Sequence, residues 1–194
     1  MSNFTTVPDV TVGQSFPPSL WESAIMNNLN LGVCRQLADL TLTGSQSSID
    51  FTSLPATFAH LMIRVLARGD TAATTVGMNV RFNGDTSTNY DDGSQSIGSS
   101  QTSGFVGNIS GANAQANSFG SYSLWIPHYA QATSFKNLIS LGFHATASGG
   151  GNIVNWSQGV IWKLAPVAIN EVTLLPGSGN FVAGSRASIY GLPA

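Results

Sequence analysis

The sequence predicts an all-β fold, an antiparallel jelly-roll-like β-sandwich preceded by an extended N-terminal arm and one short helix. Three observations predict it. Apolar residues alternate with period two from about residue 40 onward, turn residues punctuate that alternation at sandwich-like spacing, and no helical periodicity intervenes. The clearest run is Val76, Met78, Val80 and Phe82, with Gly77, Asn79 and Arg81 between them and the turn Asn83-Gly84-Asp85 behind them. Just upstream, Leu61, Ile63, Val65 and Ala67 alternate with His60, Met62, Arg64 and Leu66 until Arg68-Gly69-Asp70 breaks the run. These two long strands are expected to be neighbours at the centre of a sheet.

Residues 1–39 read as an attachment or oligomerisation segment and residues 40–194 as the sandwich. The first thirteen residues are strand-like and uncharged apart from Asp9, and Phe16-Pro17-Pro18 excludes helix up to that point. Ser19 and Glu22 then form a capping box, in which the serine oxygen takes an orphan backbone N–H and the glutamate reaches back to the cap residue. Trp21, Ile25 and Leu29 follow at i, i+4, i+8 on one helical face, and Gly32 ends or weakens the helix. A helix this short is marginal alone, so its stripe needs a cover, either its own domain or a neighbour. Phe4, Val7, Phe16, Trp21, Ile25 and Leu29 are the candidate attachment and interface residues.

Further strands are expected around residues 41–51, 119–126, 135–143, 156–164, 169–175 and 187–190, with turns at Gly44-Ser45, Gly149-Gly150-Gly151 and Pro176-Gly177. Residues 91–118 are rich in Ser, Gly, Asn and Gln and read as a long loop or irregular edge, with one short strand at Phe105, Val106 and Ile109. No fixed-period repeat appears, which disfavours propellers and solenoids.

Only 8% of the 194 residues are charged, the net charge is -2 and the 7 Lys+Arg are scattered. The basic footprint that nucleic-acid binding requires is missing. Low charge weakens repulsion between copies, so the surface suits burial against other subunits. The lone Cys34 rules out an intrachain disulfide and a multi-cysteine zinc site. No basic and apolar leader opens the chain, and no apolar run is long enough to span a bilayer. A soluble protein made in the cytosol is expected.

No arrangement meets the starting requirements of catalysis. His60, His128 and His144 lie far apart, none in a metal-binding spacing, and there is no G-x-S-x-G elbow. Asn83, Asp85, Asn89, Asp91 and Asp92 form the densest oxygen cluster, a chemistry calcium accepts, but tight turns demand the same residues and the spacing is not that of an EF-hand. No cofactor is expected, and no enzyme activity. Tyr90, Trp125, Tyr129 and Trp156, with Tyr122, read as surface aromatics that could stack on sugars or fill core and subunit contacts.

Several stretches resemble structural proteins of tailed bacteriophages, the β-sandwiches carried on virions as head decoration, fibre or tail-associated proteins. They are residues 51–58 leading to Leu61, the Arg81-Phe82-Asn83-Gly84-Asp85 turn with Asn89-Tyr90, the strand end Trp125-Ile126-Pro127-His128-Tyr129-Ala130, and the closing residues 179–185 with 188–192. The Pro-rich arm, Trp21 and Asn27-Asn28-Leu29 are similar to attachment segments of such proteins. The resemblance implies a non-enzymatic virion protein made in the host cytoplasm. Its implied partners are major capsid or tail proteins and other copies of itself, with a trimer favoured and no nucleic acid or membrane bound. Capsid decoration is the first expectation, from the compact domain and uncharged surface. A tail-tip or fibre carbohydrate-binding module is the alternative.

Overall fold

The computed structural model describes residues 34–93, 101–146 and 153–193, which form eleven strands and no helix. The arm, the helix and the six candidate residues from Phe4 to Leu29 lie outside the described residues, as does the Gly149-Gly150-Gly151 turn.

The strands are β1 (Arg35–Thr41), β2 (Ile49–Phe51), β3 (His60–Ala67), β4 (Thr75–Phe82), β5 (Tyr90–Asp92), β6 (Gly104–Ser110), β7 (Gly120–Ile126), β8 (Lys136–Ala145), β9 (Ile153–Trp162), β10 (Val172–Pro176) and β11 (Arg186–Leu192). They build a seven-stranded sheet ordered β1-β11-β3-β7-β8-β9-β5 and a four-stranded sheet ordered β2-β10-β4-β6. Four antiparallel pairs nest inside one another along the chain: β4 with β6, β3 with β7, β2 with β10, and β1 with β11. That is one long hairpin with β4 and β6 at its closed end. Rolling it up creates the remaining pairs β3·β11 and β4·β10 and sends the strands along each arm of the hairpin to alternate sheets, which is jelly-roll topology. The β8–β9 hairpin and short β5 widen the larger sheet beyond this eight-strand frame.

β3 and β4 are therefore not neighbours in one sheet; this corrects the sequence expectation. Each alternates as expected, but Leu61, Ile63 and Val65 point from the large sheet toward Val76, Met78, Val80 and Phe82 of the small one, all of them buried. Alternation specifies a buried face without specifying which sheet supplies it. Each such side chain contributes about 1.5–3 kcal/mol by leaving water. The Asn83-Gly84 turn has φ of 51° and 66° at its two central residues, with the Asp85 N–H donating to Phe82 O at 3.0 Å. Asn and Gly are the residues that adopt positive φ at least cost.

Strand β6 falls where the sequence offers its one short strand, Phe105, Val106 and Ile109, within the long polar stretch. Its register slips between Met78 and Asn79, so Phe105 and Gly107 face consecutive β4 residues and Val106 is the extra residue of a bulge. The bulge flips the buried phase from Gly104 and Val106 to Gly107 and Ile109, erasing the simple alternation. Tyr122 of β7 fills the space this creates. A Cβ on Gly107 would fall 2.4 Å from its ring, and one on Gly142 of β8 would fall 2.3 Å from it. Two glycines thus admit one tyrosine, whose hydroxyl donates to Asn108 O and accepts from Asn108 N–H.

Strand β1 starts at Arg35, inside the segment assigned to the arm by sequence, and pairs with β11 throughout. On the outward face of this pair Asp39 accepts from Arg186 Nε and from Ser188 Oγ, each at 2.9 Å.

Candidate functional site

Strand β8 has its polarity reversed. The face turned to the core carries Lys136, Leu138, Ser140, Gly142 and His144, while Ile139, Leu141 and Phe143 point to solvent at 50%, 57% and 45% exposure. The inward polar groups are mostly matched: Ser140 Oγ donates to Val106 O at 2.6 Å, and Lys136 Nζ donates to Ser134 O at 2.9 Å and to Gln131 O. Burial pulls the Lys136 ammonium below the usual lysine range. His144 Nε2 lies 3.4 Å from Thr75 Oγ1, its Nδ1 has no partner, and burial holds the ring below the usual histidine range.

Cross-strand register turns the three outward residues into a ridge. Ile139, Leu141 and Phe143 stand opposite Trp125, Ser123 and Ser121 of β7, and opposite Gly159, Ser157 and Asn155 of β9. Small or polar neighbours leave a shallow groove along most of each flank. Ile153 and Ile161 extend the apolar surface at 65% and 43% exposure. Between Lys136 and Lys163 the sequence contains no Asp, Glu, Lys or Arg, so covering this face desolvates no formal charge. Scattered exposed apolar residues are ordinary, whereas a contiguous ridge on one sheet face marks an interaction surface.

The four aromatic candidates do not form a common platform. Tyr90 and Tyr129 are 0% exposed, which corrects the reading of both as surface residues. Tyr90 packs with Phe82 and Trp162, and burial pushes its hydroxyl up to about 12. The Tyr129 hydroxyl donates to Pro55 O, and burial raises it as well. Tyr122, also read as surface, is buried in the glycine slot. Trp125 is half-buried on the outer face of the large sheet, while Trp156 packs inward against Phe105, edge to face at 5.6 Å. A sugar cannot reach both indoles at once from one side.

The Asn/Asp cluster is taken up by hydrogen bonds. Asp85 Oδ2 accepts from Asn89 Nδ2 and Trp162 Nε1, and its Oδ1 accepts from Ser87 N–H. Burial pushes the Asp85 carboxyl up, and these donors together outweigh burial and hold it below the usual carboxylate range. Asn83 Oδ1 accepts from the Asn170 and Glu171 amides, Asp91 pairs with Lys163 at 2.7 Å, and Asp92 accepts from the Phe105 amide. Among the described residues, no three His, Cys, Asp or Glu side chains are grouped to hold a metal.

Sequence spacing missed one grouping. His60 and His128 come together at 4.8 Å between ring centroids, beside Trp125 at 5.0 Å from His60, and the His128 amide donates to His60 Nδ1 at 3.2 Å. The pairing of Leu61 with Ile126 brings them close, and no local motif encodes it. Burial, with His128 nearby, lowers His60 below the usual histidine range. A half-open groove of about 490 Å³ lies between β1 and residues 50–58, with Leu37, Phe51, Leu54 and Phe58 among its lining. Its polar lining among the described residues includes Asp50, Ser53 and Thr57.

No protein-family model matches the chain, and no curated protein matches it.

Proposed function

We propose that the chain is a non-enzymatic structural protein of a phage particle, first of all a decoration protein that cements the capsid shell. Residues 1–39 reach the neighbouring shell proteins, and the outer face of β7–β9 packs against further copies of this chain in a symmetric oligomer, a trimer first. The observation that carries this reading is the reversed polarity of β8, whose large apolar residues face outward and whose polar residues face the core. A sheet built for solvent has the opposite arrangement.

Cementing follows from additive burial. Each covered Ile, Leu or Phe is already about half-buried and contributes about 1 kcal/mol, half the value for full burial, and contacts made simultaneously to several subunits multiply affinity through effective concentration. The low charge of the chain removes the repulsion that would otherwise oppose close packing. The resemblance to virion sandwiches supplies the particle, and jelly-roll topology by itself is shared by many functions. Receptor binding through carbohydrate is the weaker reading, because Trp125 is the one member of the four aromatics left half-exposed on the outer face.

Gold-labelled antibody against the chain, imaged on intact particles, tests the proposal. Regular labelling over the head is expected. Labelling confined to the tail tip would replace decoration with receptor binding, and absence from particles would overturn both.

A further inference from the structure

The sandwich is closed along one side and open along the other. On the closed side β6, the edge of the small sheet, packs on β8, with Ser140 Oγ donating to Val106 O and Ser110 Oγ donating to Ala145 O. On the open side β1 ends the large sheet and β2 ends the small one, and the groove of about 490 Å³ lies there. That volume falls within the range of binding clefts, about 300–1,000 Å³. Ala38 and Leu40 pair with the core residues Ile189 and Ala187, so both point to the inner face of β1. Leu40 nevertheless stays 37% exposed, because it forms part of the groove wall.

The backbone of β1 is unpaired along this side. The Leu42 N–H donates to Ser185 O and the Gly184 N–H donates to Leu42 O, and ladder bonds to one neighbour fall on alternate residues of an antiparallel strand. Asp39 and Thr41 therefore turn their N–H and C=O groups away from β11, toward an edge that no strand among the described residues covers. Such an edge complements another extended backbone. Among the described lining residues Arg35 and Asp50 carry the charge, and they stand at opposite ends. Gly191 pairs with both Arg35 and Leu61, which sets Arg35 level with the start of β3, beside Phe58. Asp50 lies on β2, which the chain enters after leaving the far end of β1. Neither Arg35 nor Asp50 is in an ion pair among the described residues.

We propose that this groove binds an extended peptide strand of a second protein, antiparallel to β1, with a basic residue at the guest's N-terminal end beside Asp50 and an acidic residue at its C-terminal end beside Arg35. Every ladder between the named strands is antiparallel, and a guest continuing that pattern along β1 reaches Arg35 with its C-terminal end. Asp39 and Thr41 supply the backbone bonds. Alternate guest side chains then point inward over Leu40 and Phe58, a half-buried apolar wall that suits β-branched groups. The site does not depend on the particle role and is measured on the free chain, so either reading can fail alone.

Fluorescence anisotropy of a short labelled peptide with the full chain tests the proposal. The peptide alternates valine and threonine between a leading lysine and a closing glutamate, and a control peptide exchanges the two charged ends. The first should bind about tenfold more tightly than the control, the order of two exposed ion pairs replaced by two repulsions. Arg35→Glu with Asp50→Lys should invert the preference; both side chains are exposed, so the core is untouched. Absence of binding up to about 1 mM peptide, or affinity indifferent to the order of the charges, overturns the proposal. Amide hydrogen exchange checks the register. Bound peptide should slow exchange at Asp39 and Thr41 severalfold and leave Leu40, already bonded to β11, unchanged; unchanged rates at Asp39 and Thr41 overturn the strand pairing. Protection of those two amides before any peptide is added shows that this chain itself holds the edge, or a second copy where the protection is lost on dilution, and overturns the proposal in this form.

Discussion

The indole N–H of Trp162 donates to Asp85 Oδ2 at 2.7 Å, tying the end of β9 to the turn after β4 across 77 residues of sequence. Asp85 belongs to the small sheet's turn and Trp162 to the large sheet, so this bond pins the two layers together beside the Phe82, Tyr90 and Trp162 rings. Because the folded-state carboxyl lies below its ordinary range, its contribution to stability is present above the unfolded value and is lost as pH falls through the folded one. Asp85→Asn should therefore cost about 1.5–3 kcal/mol at neutral pH, the range for a hydrogen bond to a charged group. The difference from the parent should shrink as pH falls below the unfolded carboxyl value toward the lower folded one. Urea unfolding at pH 7 and pH 3 checks both parts.

Arg68 organises the loop between β6 and β7. Its two terminal nitrogens donate to the carbonyls of Gln115, Ser118, Ala112 and Ala114, at 2.6 to 3.2 Å. A planar fork makes such divergent contacts, and an ammonium cannot reproduce them. Arg68→Lys should cost about 1–2 kcal/mol, the order of one or two hydrogen bonds, and should open residues 111–119 to protease before the sheets unfold. Thermal denaturation and limited proteolysis with peptide mapping measure the two effects.

His144 is buried and held below the ordinary histidine value of 6.5. Its unfolded state takes up protons first as pH drops, so the stability associated with the neutral ring is complete above 6.5 and declines below it toward the folded value. Thr75 Oγ1 and the Trp156 ring are what face it, and neither carries charge to offset an imidazolium. His144→Gln should flatten the fall in unfolding midpoint between pH 7 and pH 5, leaving the part that His60 contributes. Midpoints that fall as steeply as in the parent would assign the acid sensitivity elsewhere.

The sequence made the sandwich legible because β3, β4 and β7 each present an unbroken apolar alternation to the core. It showed β6 only as a short strand at Phe105, Val106 and Ile109, because the bulge at Val106 breaks the phase. The placement of β3 and β4 in opposite sheets could not be read from either strand, since a strand's own pattern carries no information about its partner. The aromatic candidates failed for a related reason. Tyr90, Tyr122 and Tyr129 each satisfy a hydroxyl with a backbone group, so a polar tip that suggests the surface is compatible with full burial. The β8 ridge was present in the sequence as alternation at Ile139, Leu141 and Phe143. That this face is the outer one emerges only from the pairing of β8 with β7 and β9.

The proposed contact between copies at that ridge is tested most directly by sedimentation equilibrium of the purified full chain. Leu141→Lys with Phe143→Lys introduces charge on a solvent-facing strand face and should leave the unfolding free energy of the monomer within about 0.5 kcal/mol of the dissociated parent's, the range of ordinary surface substitutions. The parent chain should sediment as a closed oligomer, with a trimer first, and the double variant as a monomer. A parent chain that is monomeric at all concentrations, or a double variant whose mass equals the parent's, would contradict the claim.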